Sequence, residues 1–309
     1  MKREIFLKKI NLTGCPYVEA EKYRLEAIGA RQTKSGVYRA ADTKKAAFPC
    51  VWLTDDAETL EALEREGECV VYLLTPHNRD RFCPQAKWCV EVPEEFCALQ
   101  AAGPDAAKQN MAWGETDCPD FIDPDFLWRV WLRRQNLPWQ ICETDRLYLR
   151  EMTEDDLDFL YQCRQDEQSA RFVAGPTADR QTETEKLAAY RKLIYGFYGF
   201  GLWMVCEKNT GEPVGRAGLQ IREDSELLEL GFETAAQYRG RGYAREAVKA
   251  VLAYAREELE QDKLCVWVEE ENPASQRLCS SLGFTETKRM TKDEKQWIIY
   301  HVFLREEEK

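Results

Sequence analysis

Hydrophobic positions divide the chain into two stretches with different periods. In the first, the apolar runs Phe48 to Leu53, Cys69 to Thr75 and Lys87 to Val92 predict strands. Between the first two, Asp55 to Glu66 sets Leu60 and Leu63 among glutamates, the pattern of an amphipathic helix. Strand, helix, strand at this spacing predicts a small α/β unit with a parallel pair. Gly103 to Pro124 has no clear period and reads as an irregular excursion. Asp123 and Pro124 then open a helix whose Phe126, Leu127, Val130 and Trp131 share a face until Leu137-Pro138 stops it.

Beyond Trp139 the pattern changes. Arg146 to Glu151 alternates like a strand, Glu154 to Cys163 follows a helical period, and Glu183 to Tyr198 predicts a longer helix with Leu187, Tyr190, Leu193 and Ile194 on one side. Antiparallel strands follow at Leu202 to Glu207, Val214 to Arg222 and Leu227 to Thr234, the first two joined through the turn formers Asn209, Gly211 and Pro213. With 309 residues the chain exceeds one ordinary core, so two domains are expected, 1–140 and 141–309.

Composition removes several function classes. A formal charge of −12 repels a phosphate backbone, so no nucleic-acid partner is expected. Trp128, Trp131 and Trp139 beside Arg129, Arg133 and Arg134 read instead as a helix packing between two domains with its arginines in solvent. No apolar run approaches the roughly 20 residues of a membrane span, and Lys8 and Lys9 interrupt the start before a signal sequence could form. The 12 cysteines are scattered without a CxxC pair, which predicts reduced thiols and a cytoplasmic location. Two histidines, His77 and His301, lack partners at zinc spacing, so no metal is expected.

One constellation carries chemistry. After the third antiparallel strand the chain reads Gln237-Tyr238-Arg239-Gly240-Arg241-Gly242-Tyr243-Ala244, and an amphipathic helix begins at once. Glycines at a helix start leave backbone N–H groups and the positive dipole end open to an anion, and a pyrophosphate fits that chemistry. A glycine turn without a ligand is the competing reading. Arg245 stands where a dinucleotide fold would need its third glycine, and there is no GxxxxGK[ST] loop. Downstream, Leu264 to Val268 predicts a strand. Asn272, Pro273 and Gly283 then suit the cap, first turn and end of a short helix, with Phe284 entering another strand.

Together these segments resemble the GCN5-related N-acetyltransferase (GNAT) family, in particular its RimJ/RimL-type branch, over about residues 143–303. The resemblance rests on Thr144-Asp145-Arg146-Leu147 with Leu149-Arg150, on Glu229-Leu230-Gly231-Phe232, on Gln237-x-x-Gly240-x-Gly242-Tyr243-Ala244, and on Asn272-x-x-Ser275 through Leu282-Gly283-Phe284. It implies an α+β GNAT fold, a mixed and mostly antiparallel sheet flanked by helices, preceded here by the smaller α/β domain.

It further implies acetyl-CoA as co-substrate and an amine acceptor, either a protein N-terminus or a small molecule. Backbone amides from Arg239 through Gly240, Arg241, Gly242 and Tyr243 to Ala244 would hold the pyrophosphate, with Gln237 opening the motif. The pantetheine arm would pair like a strand beside Phe232, Thr234 and Ala235, with Asn272 near it.

Glu229 matches the residue read as the base in related enzymes, and its flanking leucines would desolvate it. A backbone N–H near Leu230 to Phe232 would face the developing oxyanion. Cys279 stands where many members carry a tyrosine acid, so Ser275 is the expected proton donor to the thiolate.

Acceptor specificity is expected from Phe172 to Pro176, Tyr195 to Phe200 and the loop near Met290. Phe197, Tyr198, Phe200 and Trp203 read as core aromatics. A noncatalytic acyl-CoA sensor and an inert interaction module are the alternative functions. Phe48 to Gly67, with Thr54 at a strand end, faintly resembles a haloacid-dehalogenase motif. Upstream only Asp42 is present, without a DxD pair, and that predicts a noncatalytic α/β module.

Overall fold

The computed structural model describes residues 6–11, 50–92 and 124–305, apart from positions 55, 76, 77, 79, 81, 82, 84, 85, 174, 177, 178, 223 and 224. The excursion read at 103–123, the cap at Asp123, Asp42 and His77 lie outside these residues. The chain divides into two compact units, Met1–Leu137 and Pro138–Lys309.

In the first unit four parallel strands lie side by side in chain order: β1 (Phe6–Asn11), β2 (Cys50–Thr54), β3 (Val70–Leu74) and β4 (Cys89–Glu91). Helix α1 (Ala57–Arg65) connects β2 to β3 and is started by Asp56, whose carboxylate accepts the Thr59 N–H at 2.8 Å. Val51, Leu53, Val71 and Leu73 pack one sheet face against Leu127 and Val130 of α2 (Pro124–Arg134), while Leu60, Val70 and Tyr72 cluster separately. Trp128 and Trp131 stack at 4.9 Å against the α2 cluster. Arg134 does not extend into solvent as expected; it donates to the Gly67 carbonyl at 3.1 Å. β1 is a strand the apolar pattern does not predict, because its pairing slips between Lys8 and Ile10 and breaks the alternation.

The second unit is an eight-stranded sheet in the order β11-β12-β10-β9-β8-β7-β6-β5. Its strands are β5 (Gln140–Glu143), β6 (Leu147–Arg150), β7 (Leu202–Glu207), β8 (Pro213–Gln220), β9 (Glu229–Thr234), β10 (Lys263–Glu269), β11 (Thr285–Lys292) and β12 (Lys295–Phe303). Every neighbouring pair is antiparallel except β9 and β10.

Helices cover both faces. On one, α6 (Tyr243–Glu257) buries Tyr243, Ala247, Val248, Val251 and Ala255, and α7 (Pro273–Ser281) buries Cys279, against Leu147, Trp203, Leu230, Val266 and Tyr300. On the other, α3 (Leu157–Gln165), continued by α4 (Glu167–Phe172), and α5 (Arg180–Tyr190) pack Phe159, Leu160, Cys163 and Leu187 over Met204 and Cys206.

The long helix expected over 183–198 is interrupted. A π turn at Arg191–Tyr195, closed by the Gly196 N–H to Arg191 carbonyl bond, shifts the facing of everything after it. Tyr195 therefore points inward, and Leu193, expected on the buried side, is 60% exposed. Tyr190 and Tyr195 both reach the start of β7: Tyr190 Oη accepts the Leu202 N–H at 2.8 Å, and Tyr195 Oη donates to the Leu202 carbonyl and accepts the Met152 N–H at 3.1 Å. Trp203 is core as expected, whereas Phe197 is 81% exposed.

Candidate active site

The glycine-rich turn is where the sheet meets α6. A short 3-10 turn, Ala236–Tyr238, leads into Gly240 and Gly242, with φ of +76° and +82°, conformations that cost glycine nothing. Nothing lies within 4 Å of where a Gly240 side chain would begin, so its main chain is approachable. Gly242 is the residue before the first turn of α6, whose leading N–H groups have no intrahelical acceptor. A phosphate fits here on two counts, open glycine backbone and the positive helix end.

Arg239 departs from the expected cradle. Its N–H closes the 3-10 turn onto the Ala236 carbonyl at 3.3 Å, and its guanidinium meets Asp166 at 2.6 Å.

The opening motif braces this turn from a hundred residues away. Glu246, in the first turn of α6, accepts from Thr144 Oγ1, from the Arg146 N–H at 2.9 Å and from Arg146 Nε at 2.7 Å. Arg146 also donates to the Arg241 carbonyl at 3.0 Å and stacks over the Tyr243 ring at 4.8 Å. Burial pulls the Glu246 carboxyl upward, but these hydrogen bonds outweigh it and leave the group below its ordinary value. The Tyr243 hydroxyl donates to Glu207, which raises the phenol and lowers the carboxyl.

Beside the turn the sheet opens. β9 and β10 share a single register pair, Glu229 with Cys265, and the Cys265 N–H reaches the Leu228 carbonyl at 3.0 Å. In a parallel bridge of this register the return bond runs from the Leu230 N–H to the Cys265 carbonyl. β9 stays fully paired with β8 on its other side, and the Ala235 N–H reaches the Val214 carbonyl at 3.0 Å. Alternation then points the main-chain groups of residues 229, 231, 233 and 235 toward β8, and those of Phe232 and Thr234 into the gap. Ala235, expected beside the arm, has its N–H committed to β8. The described cavity at Phe232, Thr234, Tyr243 and Ala244 is only about 10 Å³, so any extended ligand would lie along the open edge.

Glu229 stands at the apex where the strands part. Its expected setting among leucines is only half the picture, because Arg222 Nη1 donates to its carboxylate at 3.1 Å. On the same face four residues along, Glu233 forms a buried pair with Arg216 at 2.7 Å, beneath Leu160, Cys163 and Val173. On α7, Asn272 caps the helix by accepting the Ser275 N–H at 3.1 Å. Ser275 is half-buried in the first turn. Cys279 is a core thiol pushed up to about 12 by burial, unable to supply a proton near neutral pH. Among the described residues no cluster of His, Cys, Asp or Glu could hold a metal, and no helix is long and apolar enough to cross a membrane.

The family model described as an acetyltransferase (GNAT) domain matches residues 146–285. The Bacillus subtilis protein YkkB, described as uncharacterised, is 30% identical over 160 residues, covering 51% of this chain and 92% of its own. This chain belongs to the GNAT acetyltransferase family. The Bacillus subtilis N-acetyltransferase YoaA, also described as uncharacterised, is 24% identical over 145 residues, 47% of this chain and 82% of its own. The solved acetyltransferase of Agrobacterium tumefaciens is 25% identical with a TM-score of 0.46, covering 52% of this chain and 92% of that one. The second unit is thus an acyltransferase domain of a family that uses acetyl-CoA as co-substrate.

Within this GNAT domain the sequence reading missed the charged partners. Arg216 and Glu233 are opposite each other in the β8–β9 register, so setting the hairpin would have revealed them. Arg146 and Glu246, like Arg239 and Asp166, join distant segments and leave no local pattern.

Proposed function

We propose that the second unit transfers an acetyl group from acetyl-CoA to a primary amine by direct attack on the thioester, in the manner of the RimJ/RimL-type branch. The observation that carries this is the juxtaposition of the single β9–β10 bridge at Glu229–Cys265 with the Gly240–Gly242 turn. An extended arm ending in a diphosphate has a strand edge at Phe232 and Thr234 and an anion-binding helix start within one short turn of chain.

In this reading the N–H groups of Gly240 to Ala244 grip the diphosphate, and the Asn272 amide, already capping α7, turns its NH₂ group to the arm. Phe232 supplies the first N–H free of the ladder, suited to the oxygen that gains charge on attack. The acceptor ammonium, with a pKa near ~10.4, gives its proton to Glu229 directly or through water. The N–C bond forms and the C–S bond breaks, and the second amine proton passes through the Ser275 hydroxyl to the departing thiolate. Ser275 thus ends as it began, and the products are the amide, the CoA thiol and one proton held by Glu229. Residues 1–140 form a noncatalytic module and residues 141–309 the transferase domain.

The alternative of a noncatalytic acyl-CoA sensor is favoured by one feature, the engagement of Glu229 by Arg222. A CoA-release assay across free-N-terminal peptides, polyamines and aminoglycosides separates the two. Turnover that falls at least about a hundredfold in Glu229→Gln fits a general base; CoA binding without turnover on any amine supports the sensor. Gly240→Asp and Gly242→Asp are expected to lose CoA affinity while remaining folded, and unchanged affinity in both would refute the cradle.

A further inference from the structure

The guanidinium of Arg222 lies between two groups that an incoming amine would use. Arg222 follows the end of β8, so it can swing without breaking a ladder bond. Its Nη1 holds the Glu229 carboxylate at 3.1 Å, and its Cζ sits 3.9 Å from the centre of the Trp267 ring. Trp267 is two residues beyond Cys265 on β10, on the same face, so the guanidinium spans the mouth where β9 and β10 part. Trp297 meets Trp267 edge to face at 6.2 Å, and Lys292 Nζ stands 5.7 Å from the same ring, showing that this aromatic surface attracts cations.

A carboxylate beside an indole face is what a partly desolvated ammonium binds best, through an ion pair and a cation–π contact together. One intramolecular cation now satisfies both. We propose that Arg222 is an internal stand-in for the acceptor's ammonium group, and that a cationic alkylamine binds by displacing it from Glu229 and Trp267. Arg222 then sets acceptor selectivity: it raises the threshold for every amine, and only a positively charged primary amine recovers the two contacts it removes. This rests on the transferase reading above.

The test uses the full chain, with 1,3-diaminopropane and a peptide with a free amino terminus as acceptors, in wild type, Arg222→Met, Arg222→Lys and Trp267→Leu. Thermal midpoint and CoA affinity, measured first, identify any variant that fails to fold. Arg222→Met is expected to lower KM for the diamine roughly tenfold with a smaller change in kcat, Arg222→Lys to fall between it and wild type, and Trp267→Leu to raise KM. Calorimetric binding of the diamine should tighten by the same factor in Arg222→Met, a readout that survives even if no amine is turned over. Unchanged or weaker diamine binding in folded Arg222→Met would overturn the displacement. Loss of turnover only for acceptors bearing a carboxylate would overturn it too, by making Arg222 a substrate ligand. Absence of turnover in every form, with tightened diamine binding in Arg222→Met, would count against the transferase reading alone.

Discussion

At the scale of single residues, the GNAT domain is held at its chemistry by paired charges rather than by isolated ones. Arg150 grips Asp156 with two bonds of 2.7 Å, Arg216 grips Glu233, and Glu246 gathers three donors from Thr144 and Arg146. Glu246 is the informative case because it links the segment between β5 and β6 to the turn proposed to hold phosphate. Glu246→Ala removes the acceptor of charge-assisted bonds and should cost about 2 kcal/mol in urea unfolding at pH 7. The sign of its pH dependence follows from the lowered carboxyl. Its stabilisation is complete above the unfolded value near ~4.3 and is lost as pH falls through the lower folded value. Wild type and Glu246→Ala should therefore converge in stability only below about pH 4. A gap that persists undiminished at pH 2.5 would show that packing, not ionisation, carries the residue's effect.

At the scale of elements, what the sequence made legible was whatever repeats locally. The strands β7 to β10 and the helix after Gly242 follow from alternation and helical spacing. Two kinds of feature escaped. The π turn at Arg191–Tyr195 changes the facing of a helix by one inserted residue, which no average period detects, and so Leu193, expected on the buried side, is exposed while Tyr195 is buried. Partners such as Arg222, just past the end of β8, and Trp267, in β10, come from distant segments and meet only after the sheet is ordered. Within the candidate site, the glycine turn was readable from local chemistry, but the charge opposite Glu229 was not.

The β11–β12 hairpin illustrates a local cost. Asp293 and Glu294 both have positive φ, 50° and 62°, the two-residue turn that favours glycine at its second position. Glu294→Gly should raise stability by about 0.5–1 kcal/mol, read as a higher thermal midpoint. A lower midpoint would mean that the Glu294 side chain makes a contact worth more than the strain.

At the scale of the whole molecule, the second unit's sheet is continuous in name but hinged at one bridge. Six of its seven strand pairings are antiparallel ladders, and the seventh is one residue pair between β9 and β10. The helices α6 and α7 share one core with strands of both halves and keep them together while their edges diverge. This places the cost of an open edge where the proposed ligand would recover it, because an unpaired strand edge exposes donors and acceptors that only another strand-like chain satisfies.

Amide exchange measures this directly. Without ligand, the Phe232 and Thr234 amides should exchange much faster than those of Gly231 and Glu233, which the β8 register ties down. Adding acetyl-CoA should slow Phe232 and Thr234 selectively, and at 100-fold excess over Kd should add about 2.7 kcal/mol to global stability. Global protection without a selective change at these two amides would place the arm elsewhere. Equal exchange at residues 231 to 234 before ligand is added would mean that β9 and β10 close on each other in solution, and the hinge at Glu229 and Cys265 would lose its meaning.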